Sequence, residues 1–150
     1  MKTLLIALLL SAGICCADTV PNPRFTPGKA DTTLTKQVIC APTFRTTTIR
    51  NVSEQTKTIV YYHYGVVNHA GYCTGKEGCE VDHLISLELG GSNDPLNLWP
   101  QPYTGEPNAH EKDLVENKLH SMVCSGQITL EQAQKQISTD WVGAYKKYVK

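Results

Sequence analysis

The chain lacks a net charge: its 14 lysines and arginines are balanced by 14 aspartates and glutamates over 150 residues. Such a balance gives no general attraction to a polyanion, so any face that binds one must be a local patch. Beyond the first residues no stretch is uniformly apolar, and a membrane-crossing helix needs roughly 20 such residues in a row. Paired C-x-x-C spacings are missing, which removes the strongest signal for a structural zinc site. There is no internal repeat and no low-complexity tract.

What is present begins with an export signal. Lys2 supplies a positive start, Leu4 to Leu10 an apolar run too short for a membrane span, and Cys15-Cys16-Ala17 a small-residue stretch suited to cleavage. Residues 1–17 are therefore expected to be removed, leaving a soluble, periplasmic or secreted chain that begins near Asp18. The residues ahead of Cys15 and Cys16 do not form the leucine-to-small pattern of lipoprotein processing. Loss of Lys2 leaves 13 basic residues against 14 acidic ones, a mature charge near −1 with the histidines neutral. About 130 residues remain, enough for one compact core and too few for two ordinary domains.

Cleavage also removes two of the six cysteines, leaving Cys40, Cys73, Cys79 and Cys124 in a compartment that permits oxidation. Two disulfides are expected, and three pairings are open. Cys73 with Cys79 closes a short glycine-containing loop, and Cys40 with Cys124 ties an early segment to a late helix. These are the favoured pairs.

Pro21, Pro23, Pro27 and Gly28 make residues 18–34 an extended arm. Thr35 to Cys40 is a short strand or one helical turn, and the β-branched run Phe44 to Arg50 predicts a strand. Ser53 caps a predicted helix through Tyr64, stopped by Gly65. After a loop from Gly71 to Gly78, Val81 to Leu89 alternates in strand fashion, Gly90 to Pro95 is a turn, and Leu96 to Trp99 a second extended piece. A proline-rich link precedes a helix from Ala109 to Val123, with Leu114 or Val115, then Leu119, Met122 and Val123, on one face. Thr129 with Gln132 forms a capping box for a last amphipathic helix that reaches Tyr148.

The stretch from Glu80 to Pro100, E-V-D-H-L-I-S-L-E-L-G-G-S-N-D-P-L-N-L-W-P, sets an acid beside a histidine, then a glycine turn, then an asparagine in the returning arm. Singly these are a surface pair, a turn and a local hydrogen-bonding residue. In this order, Asp82-His83-Leu84-Ile85, Leu87, Gly90-Gly91 and Asn97-Leu98 resemble the motif of the HNH, or ββα-metal, endonuclease family. Ile39 to Pro42 and Val123 to Gly126 are similar to the flanks of small exported HNH-like proteins of bacteria and their phages. Where many members carry cysteine pairs for a structural zinc, this chain has Trp99-Pro100-Gln101-Pro102.

The resemblance implies an α+β fold: a ββα hairpin-plus-helix core over residues 80–120, additional helices and a disulfide brace, all in one domain spanning 35–150. It also implies the chemistry. Phosphodiester hydrolysis needs a nucleophilic water and stabilisation of the charge that builds on phosphate. His83 can take the proton from water when its imidazole starts neutral. A hard divalent cation, Mg²⁺ first, with Mn²⁺ or another transition metal behind it, keeps several waters and needs only one or two protein ligands.

By the resemblance, Asp82 is one metal ligand, on the opposite side of the strand from His83. The last ligand lies at the start of the following helix, where Asn108, an oxygen donor, is favoured over His110, a nitrogen donor. Asn97 is implied to orient His83 or to pin the hairpin loop. Arg45 and Arg50 are the expected phosphate contacts, with Lys112 and Lys118 behind them. The expected function is metal-dependent hydrolysis of DNA, with RNA a second candidate, at little sequence preference. A catalytically silent HNH scaffold that binds a partner in the cell envelope is the alternative. Catalysis requires an imidazole that is not sealed into the core and an Asp82 carboxylate that faces room for an ion.

Overall fold

The computed structural model describes residues 19–65 and 78–150. The expected signal segment, most of the Gly71–Gly78 loop and Cys73 lie outside the described residues. Helices begin where a side chain takes up the unpaired N–H groups of the first turn. Helix α1 is a single turn, Lys36–Ile39, and α2 is Glu54–His63, capped by Ser53, whose Oγ accepts from the Thr56 N–H at 3.1 Å. Helix α3, Ala109–Cys124, and helix α4, Leu130–Tyr148, both start from capping boxes: Asn108 with Glu111, and Thr129 with Gln132.

Strands β1, Cys79–His83, and β2, Leu98–Pro102, form a two-stranded antiparallel sheet. Asp82 lies opposite Trp99, and His83 opposite Leu98. Pro100 and Pro102 sit at alternate positions of β2, where a two-stranded sheet leaves one edge unpaired and a missing N–H costs nothing. The core lies between this hairpin and the α3–α4 pair. Leu84, Ile85, Leu89 and Trp99 meet Val115, Leu119 and Val123 of α3, and Leu130, Ala133, Ile137, Trp141 and Ala144 of α4. Full burial of each large apolar side chain contributes about 1.5–3 kcal/mol.

Among the described residues the fold is thus mixed α+β, with four helices, one small sheet and the expected Cys40–Cys124 disulfide. Cys79 is also disulfide-bonded, while its expected partner Cys73 lies outside the described residues. The Cys40–Cys124 bond spans 84 residues. Replacing both cysteines with alanine is expected to lower the free energy of unfolding by about 2–5 kcal/mol, read from urea denaturation. No helix among the described residues is long and apolar enough to cross a membrane.

Several local expectations change. The Thr-rich run from Phe44 to Arg50 is no strand but holds a 3₁₀ turn, Thr46–Thr48: Thr48 Oγ1 donates to the Arg45 carbonyl at 2.7 Å, satisfying backbone locally where no strand among the described residues pairs with it. The first strand ends at His83, and Leu87–Leu89 is a 3₁₀ turn. The second extended piece starts at Leu98, after a 3₁₀ turn over Pro95–Asn97, and takes in Pro100 and Pro102 of the proline-rich link but not Pro107. Helix α4 is interrupted at Asp140 (φ −159°, ψ 74°), whose Oδ1 accepts from the Gly143 N–H at 2.8 Å and so caps the second half. The N-terminal arm turns at residues 23–25, where the Thr26 N–H donates to the Asn22 carbonyl at 2.8 Å, and again at 32–33, and it packs along the hairpin turn: Ala30 bridges Gly91, and the Asp31 N–H donates to the Gly90 carbonyl at 2.8 Å.

Candidate functional site

The β1–β2 connection is held by one side chain. Asn97 is fully buried and uses its whole amide. Its Oδ1 accepts from the N–H groups of Ile85 (2.9 Å) and Lys29 (3.2 Å), and its Nδ2 donates to the carbonyls of Ile85 and Ser92, both at 2.9 Å. Of its two implied roles, the bonds are those of the loop pin. The glycine pair has a matching cause: Gly90 adopts φ +74°, and a Cβ on Gly91 would lie 1.7 Å from the Ile85 carbonyl oxygen.

His83 is oriented instead by Asn93, a residue the motif reading passed over as part of a turn. Asn93 Nδ2 donates to the Ile49 carbonyl at 2.8 Å, and its Oδ1 accepts from the Asn51 N–H at 3.1 Å. Those two bonds fix which end of the amide is oxygen, and that oxygen lies 3.1 Å from His83 Nε2. An amide oxygen only accepts, so Nε2 carries the proton. Nδ1 is then a bare lone pair, and it has no hydrogen-bond partner. Burial, joined by the charges of Arg50 and Lys112, lowers the pKa of His83, while Asn93 and Asp82 pull the other way. The imidazole is neutral, which is the form a general base needs. It is also only 1% exposed, so the expected open position is corrected: solvent does not reach this ring as the chain stands.

On the other face of β1, Asp82 meets helix α3. Its Oδ2 lies 2.6 Å from Lys112 Nζ, which also donates to the His83 carbonyl at 2.7 Å and to Glu116 Oε1. Lys112, expected as a surface phosphate contact, is fully buried. Burial works against its charge, but the carboxylates of Asp82 and Glu116 outweigh that and hold the ammonium above the ordinary lysine range. Burial also raises Glu116, against the downward pull of the Lys112 charge. Burial and neighbouring carboxylates also raise Glu80 and Asp113, so acid is crowded around the single buried lysine.

The other expected ligands are engaged elsewhere. Asn108 Oδ1 accepts from the His110 N–H at 2.9 Å and Nδ2 donates to the Gly105 carbonyl at 3.0 Å, so the side chain is spent on the α3 cap. The N-x-x-E spacing of Asn108 and Glu111 signals this in the sequence. His110 is exposed and stacks on Tyr103, ring centroids 6.0 Å apart. Arg45 is exposed and donates to the carbonyls of Pro42 and Phe44, both at 2.7 Å, and Arg50 is exposed and close enough for its charge to act on His83 and Asp113. Lys118 is exposed on α3.

The donors expected for a divalent cation are therefore not gathered at one point: Asp82 Oδ2 is bound to Lys112, Asn108 is held in its own helix cap, and His110 stacks on Tyr103. Cys40, His120 and Cys124 are the one group of three His, Cys, Asp or Glu side chains among the described residues whose ligand atoms all lie within 4.8 Å of one another. It is a cluster of the kind that holds a metal, but its two sulfurs are bonded to each other, and His120 Nε2 donates to the Ile39 carbonyl at 3.1 Å.

Two substitutions of Asn93 separate orientation from packing. Asn93→Ala frees the ring and is expected to let both neutral tautomers of His83 appear, read by ¹⁵N NMR. Asn93→Asp keeps an acceptor at Nε2, and its negative charge should move the His83 titration profile upward. Equal profiles for the two variants would argue against an orienting role. No family model, curated protein or solved structure matches the chain.

Proposed function

We propose that the chain is an exported endonuclease of the HNH kind that hydrolyses phosphodiester bonds of DNA, with RNA a second substrate, using His83 as general base. The supporting observation is the imidazole itself: neutral, with Nε2–H tied to Asn93 and the Nδ1 lone pair unpaired. A buried acceptor without a protein partner costs free energy unless a water or another donor reaches it. Taking a proton from water is a use for that lone pair, and Arg50 beside it can stabilise charge on the phosphate. The Cys40–Cys124 disulfide supports an oxidising compartment outside the cytoplasm.

The divalent cation that the HNH resemblance brings has no free donor set at Asp82, so no step is drawn through it. Access is the remaining requirement. The ring is enclosed, against the requirement of an open base, so hydrolysis needs the surrounding loops to move aside when substrate binds. The test is to incubate the oxidised mature protein with supercoiled plasmid, with Mg²⁺, with Mn²⁺ and with a chelator, beside His83→Ala. Nicking by the wild type alone supports the proposal, and none under any condition removes it.

A second function is favoured by one observation, the enclosure of His83 together with the pairing of Asp82 Oδ2 with Lys112. Both suit a catalytically silent HNH scaffold that binds a partner in the cell envelope. Absence of nicking from a protein with intact disulfides would favour it.

A further inference from the structure

We propose that Lys112 is the resident cation of this site, holding with its own ammonium the place beside Asp82 that a divalent ion would need. The inference deepens the hydrolase proposal and rests on it only for the consequence for activity. An ammonium has three N–H donors and no acceptor. Lys112 has three oxygens to give them to: Asp82 Oδ2 at 2.6 Å, the His83 carbonyl at 2.7 Å and Glu116 Oε1. Two carboxylates and a carbonyl converging on one point are hard oxygen donors, the set that Mg²⁺ or Ca²⁺ prefers. Here the point is a nitrogen, fully buried, with every donor matched.

A divalent ion drawing on the same oxygens would sit beside a like charge that has nowhere to move. Lys112 reaches this point from the first turn of α3, within one turn of Glu116, so a single helix delivers both the cation and one of its acceptors. The ammonium also grips the backbone carbonyl of His83, so it fixes the end of β1 from which the imidazole projects. Lys112 is thus a positioning residue that acts through His83, and hydrolysis at this site proceeds without a divalent ion.

The test uses the oxidised mature chain and two readouts, the thermal unfolding midpoint in titrations of Mn²⁺ and plasmid nicking in EDTA. The wild type is expected to show no Mn²⁺-dependent shift and to nick equally well in EDTA. Lys112→Met is expected to unfold at a lower temperature, and Mn²⁺ should restore part of that loss by entering the vacated oxygens. Adding Asp82→Asn should abolish the restoration. An Mn²⁺-induced rise of the wild-type midpoint that Asp82→Asn removes would overturn the proposal, and needs no folded Lys112 variant. A folded Lys112→Met protein indifferent to Mn²⁺ would overturn it too, since the three oxygens would then be no cation site. Wild-type protein that neither responds to Mn²⁺ nor nicks DNA would overturn the hydrolase proposal and leave the place of Lys112 standing.

Discussion

Replacing His83 with alanine is expected to lower plasmid nicking by about 10²–10⁴-fold, the usual contribution of a positioned general base. The ring is buried, so the variant also loses packing, and circular dichroism with a urea titration must show that it remains folded at the assay temperature. The pH profile supplies a second signature. Burial sets the folded pKa of His83 below the ordinary value near 6.5, so the neutral form persists as pH falls past that value. Activity should hold at pH 6.5 and fail only in more acid solution. Stability follows the same sign: the unfolded chain takes up the proton first, so the contribution of His83 is present above about 6.5 and is lost as pH drops toward the folded pKa. An acid limb centred above 6.5 would contradict a buried, neutral base.

The second large effect is on stability. Lys112→Met leaves Asp82 and Glu116 facing an apolar side chain, and breaking a buried ion pair from one side typically costs about 3–5 kcal/mol. Urea denaturation should show that loss. Adding Asp82→Asn and Glu116→Gln should recover most of it, because the charges left without a partner, rather than the lost contact, carry the penalty. Independent, additive losses at the three positions would show that they do not act as one cluster.

The sequence displayed those parts of the site whose causes are local. The glycine pair and Asn97 serve backbone of the same hairpin, Asn97 reaching Ser92 and Ile85, 5 and 12 residues away, and the Thr129–Gln132 box announces α4 directly. The apolar spacing of α3 foretold Val115, Leu119 and Val123, and burial settled the choice against Leu114, which is 51% exposed. Lys112 was legible only as a surface charge, because its burial depends on Asp82, 30 residues earlier. The orienting role of Asn93 needed Ile49 and Asn51, more than 40 residues away. In the Phe44–Arg50 run, β-branched content was set against the absence of a neighbouring strand, and the tertiary context prevailed.

Hydrolysis at this hairpin requires the His83 Nδ1 lone pair to be free at neutral pH. Long-range ¹H–¹⁵N correlation on the oxidised, ¹⁵N-labelled protein at pH 7 observes both ring nitrogens of this residue. Nε2 should resonate in the protonated range and Nδ1 in the bare, imine-like range, with the pattern lost in Asn93→Ala. A proton on Nδ1, or a charged imidazolium, would contradict the assignment of His83 as a general base.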